Sequence, residues 1–327
     1  MSTDNRAIIA VKRIAPWVAA AAILWFLFSR IDRGLFIDSL ARAELSIYIP
    51  LAVVFVLVWF FIETYNLHSL YRFFGHPVNF STMLKVRGAT FLLMIVNYGL
   101  GAGGIAVYMK KFRGVPFLRS SGMLFFYMVV ESAGIALLAV AGYVLAGGSG
   151  IQDWILYLSM GLFLFYNSEL VFLRYMPPVG FLKKFLRSSF VAPVRESTAR
   201  IYSGIFFQRI GYFLTFVVFF YFGVQAFHMQ IPFLTLTALV PIIFFVGNLP
   251  ITPFGLGTIQ AAMLFFFRTY SSEENILALS ILYTASLLFL RALIGLYYLK
   301  KITDEVPDLA GEIAREKELL SRESAGA

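Results

Sequence analysis

Two of the long apolar runs in this chain are broken midway by residues a helix interior does not favour. That restricts its fold more than any other feature. The first run, Met83 to Met109, is interrupted at Asn97-Tyr98-Gly99-Leu100-Gly101-Ala102-Gly103-Gly104. The second, Ile231 to Phe267, is interrupted at Gly247-Asn248-Leu249-Pro250-Ile251-Thr252-Pro253-Phe254-Gly255-Leu256-Gly257. A glycine in a helix interior costs about 1 kcal/mol and a proline about 3 kcal/mol, so neither run is expected to cross a bilayer as one helix. Six uninterrupted runs accompany them: Ile14–Phe28, Ser46–Tyr65, Ser120–Leu145, Ile151–Leu173, Ile201–Phe227 and Ile276–Leu299. About 20 apolar residues span a bilayer core as a helix. The expected fold class is therefore an all-α polytopic membrane protein with about six full spans and two broken, re-entrant helical hairpins.

Composition supports this. The 327 residues are 60% hydrophobic and 14% charged, with no cysteine, whereas a soluble domain is about 25% charged. Disulfide scaffolds, disordered chains and nucleic-acid modules are excluded. The formal charge of +9 fits loops held against anionic headgroups on the cytoplasmic side. Arg6, Lys12 and Arg13 precede the first run as they would in a signal peptide, but Ser29-Arg30-Ile31-Asp32-Arg33 offers no small-residue cleavage site. A retained first helix is expected. The domain reading is a cytoplasmic N-terminus over 1–13, a transmembrane domain over 14–299 and a cytoplasmic charged tail over 300–327.

Charge placement sets the topology. With the N-terminus inside and both broken runs returning to the side they entered, most of the 27 lysines and arginines face the cytoplasm. These include Arg72, Lys85 and Arg87, the cluster Lys110, Lys111, Arg113 and Arg119, and the group from Arg174 to Arg200. A full crossing by the first run would put Lys110–Arg119 outside, against the positive-inside tendency. Both termini are thus expected in the cytoplasm of a bacterial inner membrane. Paired, interrupted segments in the two halves are the sequence pointer to an inverted-repeat transporter and its binding site. The internal match is short: Tyr98–Gly101 against Phe254–Gly257, with Ala106 and Ala262 in register. Between spans, Pro177 to Arg200 alternates Phe181, Leu182, Phe185 and Leu186 with Lys183, Lys184 and Arg187. This suggests a helix lying at the interface, with an ordinary basic loop as the alternative.

Charges inside the apolar runs are few. Glu131 lies about 18 Å beyond Arg119 at 1.5 Å per residue, and Arg209 and Arg291 lie several residues inside their runs. An ionisable group at such depth is a functional-site candidate, although either arginine could instead snorkel to the interface. Glu63 and Glu169 fall near span ends and are expected to be interfacial. Asn97 and Asn248 border the breaks, where they are placed to cap freed backbone groups. No acidic pair, metal-ligand spacing or catalytic motif is present, so neither cofactor nor metal nor enzymatic activity is expected. The Gly-rich run has no strand before it and no acidic partner after it, so it is not a nucleotide loop.

At the two breaks the chain resembles the transmembrane region of lysylphosphatidylglycerol synthases, the flippase-like family. The residues carrying the resemblance are Lys110-Lys111-Phe112-Arg113-Gly114-Val115-Pro116-Phe117-Leu118-Arg119, followed by Glu131, and Pro250-Ile251-Thr252-Pro253-Phe254-Gly255-Leu256-Gly257-Thr258-Ile259-Gln260. Gln260, Ile105 and Ser132 depart from it, standing where the family tends to carry Glu, Glu and Arg. The resemblance implies lipid binding in a central cavity and movement of a headgroup between leaflets, without aminoacyl transfer. The headgroup contacts it implies are Asn97, Gly99, Gly101, Gly103 and Gly104 at the first break, with Asn248, Pro250, Thr252, Pro253, Gly255, Gly257 and Gln260 at the second. Glu131, Arg209 and Arg291 would complete the site. Lys110, Lys111, Arg113, Lys183, Lys184 and Arg187 would face lipid headgroups at the surface. Membrane lipids are the expected partners. An accessory protein presenting lipid to a separate lipid-modifying enzyme is the alternative, and an integral-membrane transferase a third. Topology is open to a direct check: a cysteine replacing Lys111 should react with a membrane-impermeant thiol reagent from the cytoplasmic side only, and labelling from outside would refute the hairpin reading.

Overall fold

The structure, a computed structural model, describes residues 3–96, 98–148, 151–248, 251–302, 315 and 318, without the side chains of 3–16, 96, 98, 181 and 302. Asn97, Pro250 and most of the charged tail lie outside the described residues. Only helices occur among those described. They are α1 (Thr3–Arg30), α2 (Arg33–Arg42), α3 (Leu45–Phe73), α4 (Phe80–Val96), α5 (Tyr98–Arg113), α6 (Phe117–Leu145), α7 (Asp153–Tyr175), α8 (Lys183–Leu186), α9 (Ala192–Glu196), α10 (Ala199–Ala226), α11 (Phe233–Asn248), α12 (Thr258–Phe267) and α13 (Glu273–Ile302). Five of them, α3, α6, α7, α10 and α13, are long and apolar enough to cross a membrane. The described apolar part of α1 is the shorter Trp17–Arg30. The polytopic all-α class is as the sequence indicated.

Helices α4 and α5 pack on each other as one hairpin, and α11 and α12 as another. The two are not built alike. Because α5 begins at Tyr98, the Gly-rich run is helical, and the backbone N–H groups of Gly103 and Gly104 enter helical bonds. This corrects the expectation of a glycine-built loop. The reason is packing: a Cβ at Gly101 would overlap the Met94 side chain on α4, so the glycine permits a close approach that offsets its low helix propensity. The second break is a true one. Thr252 is extended, a 3₁₀ turn covers Pro253–Gly255, and Phe254, Gly255 and Gly257 take φ of 59°, 69° and 86°. Tyr98–Gly101 and Phe254–Gly257, alike in sequence, therefore differ in backbone.

Two other expectations change. The stretch between α1 and α3 contains a helix, α2, capped by Asp32, whose Oδ1 accepts from the backbone N–H of Gly34 at 2.7 Å and Leu35 at 3.0 Å. The basic segment 177–200 is not one amphipathic helix. Gly180 at φ 60° and Pro193 at the start of α9 divide it into short turns. Lys183, Lys184 and Arg187 remain exposed while Leu186 is buried.

The chain divides into two compact units. Unit 1 comprises Met1–Val56, Leu138–Tyr157 and Phe213–Phe289; unit 2 comprises Leu57–Leu137, Leu158–Tyr212 and Leu290–Ala327. Within unit 1, α3 runs antiparallel to α10 through the Phe55–Phe216 and Tyr48–Phe227 ring contacts, 4.9 and 6.0 Å between centroids. Gly142 of α6 lies directly against the backbone of Thr237 and Ala238 on α11. Within unit 2, Trp59 of α3 stacks on Phe91 of α4 at 5.6 Å. Helices α4 and α13 approach closely because Gly88 lies under the Tyr298 ring and Gly295 under Leu92. Backbone-on-backbone contact leaves nothing flexible to move aside. Gly142→Ala should lower stability by about 1–3 kcal/mol through overpacking, read as a fall in the thermal unfolding midpoint in detergent. Gly161→Ala, where a Cβ meets nothing within 4 Å, should show no such loss.

Candidate functional site

Unit 2 gathers ionisable groups from five of its helices at one point. Arg209, reaching from α10, is 1% exposed and holds a carboxylate on each side. Its Nη1 lies 2.6 Å from Glu63 Oε2 on α3, and its Nη2 lies 2.7 Å from Glu131 Oε1 on α6. Nη1 also donates to the Tyr127 hydroxyl, which in turn donates to Glu63 Oε2 at 3.2 Å. The other oxygen of Glu63 accepts from Arg87 of α4, also at 3.2 Å. The guanidinium carbon of Arg209 stands 3.7 Å from the ring centre of Tyr212, whose hydroxyl accepts from the Trp59 indole N–H. Arg291 on α13 completes the group, with its guanidinium 4.0 Å from Trp59 and 5.5 Å from Phe91. Arg87 lies 5.0 Å from the same Phe91 ring. Cation–π contacts of this kind gain strength when both partners are desolvated.

The cluster has a dry side and a rim. Glu63, Arg87 and Arg209 are at most 3% exposed, whereas the Glu131 side chain is 14% exposed. Three guanidinium groups meet two carboxylates, leaving one positive charge in excess among these five residues. Removing two charges from water is expensive and their mutual attraction repays it only with good geometry. The bonds to Tyr127 and the aromatic faces supply that geometry.

Sequence reasoning identified Glu131, Arg209 and Arg291, and the structure places the first two in contact. It misplaced Glu63 as interfacial and counted Arg87 among cytoplasmic loop charges. Both are buried, because α3 continues to Phe73, well past the apolar run that ends at Tyr65, and α4 packs against it through Phe91 on Trp59. The available signal was weak: Glu63 precedes Thr64 and Asn66, and Arg87 stands two residues from Lys85. Lys110, Lys111 and Arg113 are exposed in the last turn of α5.

Unit 1 has a different, uncharged arrangement at the second break. Gln260 is 1% exposed. Its Oε1 accepts from the Gly257 N–H at 2.7 Å, while its Nε2 donates to Thr284 Oγ1 at 2.9 Å and the Ser280 carbonyl at 3.4 Å on α13. A carboxylate here could accept from Gly257 but could not donate to Ser280. The amide thus closes the break and ties α12 to α13. The Thr258 hydroxyl donates to the Gly255 carbonyl at 3.0 Å and lies 3.3 Å from Thr252 Oγ1. Pro253 opens the 3₁₀ turn, and Asn248 is exposed at the end of α11. An apolar groove of about 510 Å³ lies beside this break, lined by residues that include Ala22, Ile23, Phe26, Val246 and Ala262.

In the first turn of α6, Arg119 forms a forked pair with Glu196 of α9, at 3.0 and 2.6 Å, and donates to His76 Nε2 at 3.3 Å. Partial burial and the adjacent Arg119 hold the His76 pKa below its ordinary value, against the opposing effect of Glu196. Among the described residues no group of three His, Cys, Asp or Glu is placed to hold a metal ion.

The fold and these groups define a multi-pass helical membrane protein with ionised side chains packed among apolar helices. Residues 9–295 match the family described as the lysylphosphatidylglycerol synthase TM region, and the chain belongs to that family. It is accordingly a membrane protein related to lipid modification or flipping. No curated protein matches the chain.

The network predicts an order of stabilities. Glu63→Gln deprives two buried arginines at once and should cost about 3–5 kcal/mol. Glu131→Gln should cost less, since Arg209 keeps Glu63. Arg209→Gln should be partly rescued by adding Glu131→Gln, which removes the carboxylate left unpaired. Thermal unfolding of the four purified variants checks this, and a Glu63→Gln protein as stable as the parent would refute it.

Proposed function

We propose that this protein binds a lipid with a polar or anionic headgroup and moves it between the leaflets of a bacterial inner membrane, with both termini in the cytoplasm. The observation that carries the reading is the Glu63–Arg209–Glu131 network with Arg87 and Arg291. Buried ion pairs contribute little net stability compared with well-packed apolar residues. Five ionised groups among apolar helices are therefore poorly accounted for by folding alone, and ionised groups inside membrane segments mark pathways for polar cargo. The partly exposed Glu131 gives the network an accessible edge. The apolar groove beside α12 has the size and lining of a site for an acyl or isoprenoid chain. Family membership is in keeping with a lipid as the cargo. Aminoacylated phospholipid, a polyprenyl-phosphate-linked lipid and a terpenoid all fit this chemistry.

Reconstitution tests it. Vesicles containing the purified protein and a trace of fluorescent phospholipid should show inner-leaflet probe becoming reducible by dithionite added outside, at a rate above that of protein-free vesicles. Lipid that co-purifies with the protein but is not moved would assign it instead to lipid presentation for a separate enzyme. Neither binding nor movement would sink both readings.

A further inference from the structure

One end of unit 2 is basic and short of acidic partners. Helix α13 packs antiparallel on α4, with Gly88 under Tyr298 and Gly295 under Leu92, so Ile302 closes α13 at the end where α4 begins. The joined Arg119, His76 and Glu196 mark the same end. Arg72, Arg113, Lys183, Lys184, Arg187 and Arg200 are exposed there, and none of them forms an ion pair with a described residue. The exposed carboxylate at this end, Glu196, is already taken by Arg119. Between the cations of segment 177–200 lie apolar side chains open to the outside, Val179 at 57% and Phe185 at 46% exposure.

The chain beyond Ile302 has the opposite character. Residues 303–327 hold seven carboxylates and three cations, in a protein whose net charge is +9. After Pro307, Leu309, Ile313 and Leu320 stand at i, i+4 and i+11, and Glu312, Glu316 and Glu323 repeat the same spacing. At 3.6 residues per turn each trio falls on one line along a helix, and the two lines are neighbours. Arg315 and Glu318 are helical and exposed. On that period both lie on the side opposite Leu309, Ile313 and Leu320. The side left over is apolar with an acidic border, the complement of an apolar surface set among lysines and arginines.

We propose that residues 303–327 dock on segment 177–200 of the same chain and cover the basic end of unit 2. Leu309, Ile313 and Leu320 meet Val179 and Phe185, while Glu312, Glu316 and Glu323 face Lys183, Lys184 and Arg187. Exposed ion pairs contribute little one at a time. Tethering makes this contact intramolecular, with an effective concentration of the order of millimolar, so several weak pairs suffice. Anionic headgroups offer the same cations the same charge, and the tail and the membrane surface therefore compete for them. The cover opens as the anionic lipid content of the membrane rises. The contact is read without any transport measurement, so it stands or falls separately from the lipid-moving reading.

The experiment is carbodiimide coupling, which joins a carboxylate to an amine only where the two touch, on the full chain in phosphatidylcholine vesicles at low salt. Peptide mass spectrometry should find Lys183 or Lys184 joined to Glu312, Glu316 or Glu323 within one chain. Adding phosphatidylglycerol to the vesicles should lower the coupled fraction severalfold, and so should about 1 M salt, where screening acts within about 3 Å. A second readout is tryptic cleavage after Arg315 in the detergent-solubilised protein. Lys183→Gln, Lys184→Gln and Arg187→Gln together remove exposed charges without touching the buried core, and should speed that cleavage about tenfold. Coupling of these lysines to no tail carboxylate would overturn the proposal and leave the basic end to lipid headgroups. Coupling found only between chains would overturn it in favour of a second copy. Cleavage at the parental rate in the triple variant, or coupling that phosphatidylglycerol leaves undiminished, would overturn it as well.

Discussion

Unit 2 depends on one guanidinium held between two carboxylates. Arg209 reaches Glu63 and Glu131 at 2.6 and 2.7 Å from a third helix, so the rotation and height of α3, α6 and α10 are fixed against one another. A slip of one residue on any of the three would turn a charged group toward hydrocarbon without a partner, where desolvation is severe. Apolar packing alone tolerates such slips, because one leucine face resembles the next. The glycines complement this. Gly88 and Gly295 let α13 settle close to α4, which carries Arg291 onto Trp59 and Phe91. Directional charge contacts choose the register, and small residues supply the closeness that makes those contacts short.

How much of this could be read from the chain differs by element. The long helices were legible because an apolar run of span length has few alternatives in a protein with so little charge. Glu131 and Arg209 were legible for the same reason, as isolated ionisable groups far from any loop. Glu63 and Arg87 were not, because position along a helix says nothing about where the helix enters or leaves the packed core. The Gly-rich run illustrates the limit of propensity: it reads as a break, yet the helix begins at Tyr98 since Gly101 fits against Met94. The Pro-containing break was legible because two prolines and the glycines at positive φ restrict the backbone whatever surrounds it. Helix α2 was not expected, although Asp32 carries a capping residue's chemistry.

That the residue closing the second break, Gln260, is an amide has an electrical consequence. From Phe233 to Phe267 the second hairpin contains no Asp, Glu, Lys, Arg or His, and the amide of Gln260 closes its break without adding a charge. The first hairpin, by contrast, carries Lys85 and Arg87 on α4 and Lys110, Lys111 and Arg113 on α5. A membrane potential does work of about 2.3 kcal/mol per elementary charge per 100 mV only on charges that move through the field. Displacement of the α11–α12 hairpin is therefore nearly invisible to voltage and to proton concentration. A response of this protein to the energised state of its membrane has to enter through charges outside that hairpin, of which Glu63, Arg87, Glu131 and Arg209 are packed among apolar helices.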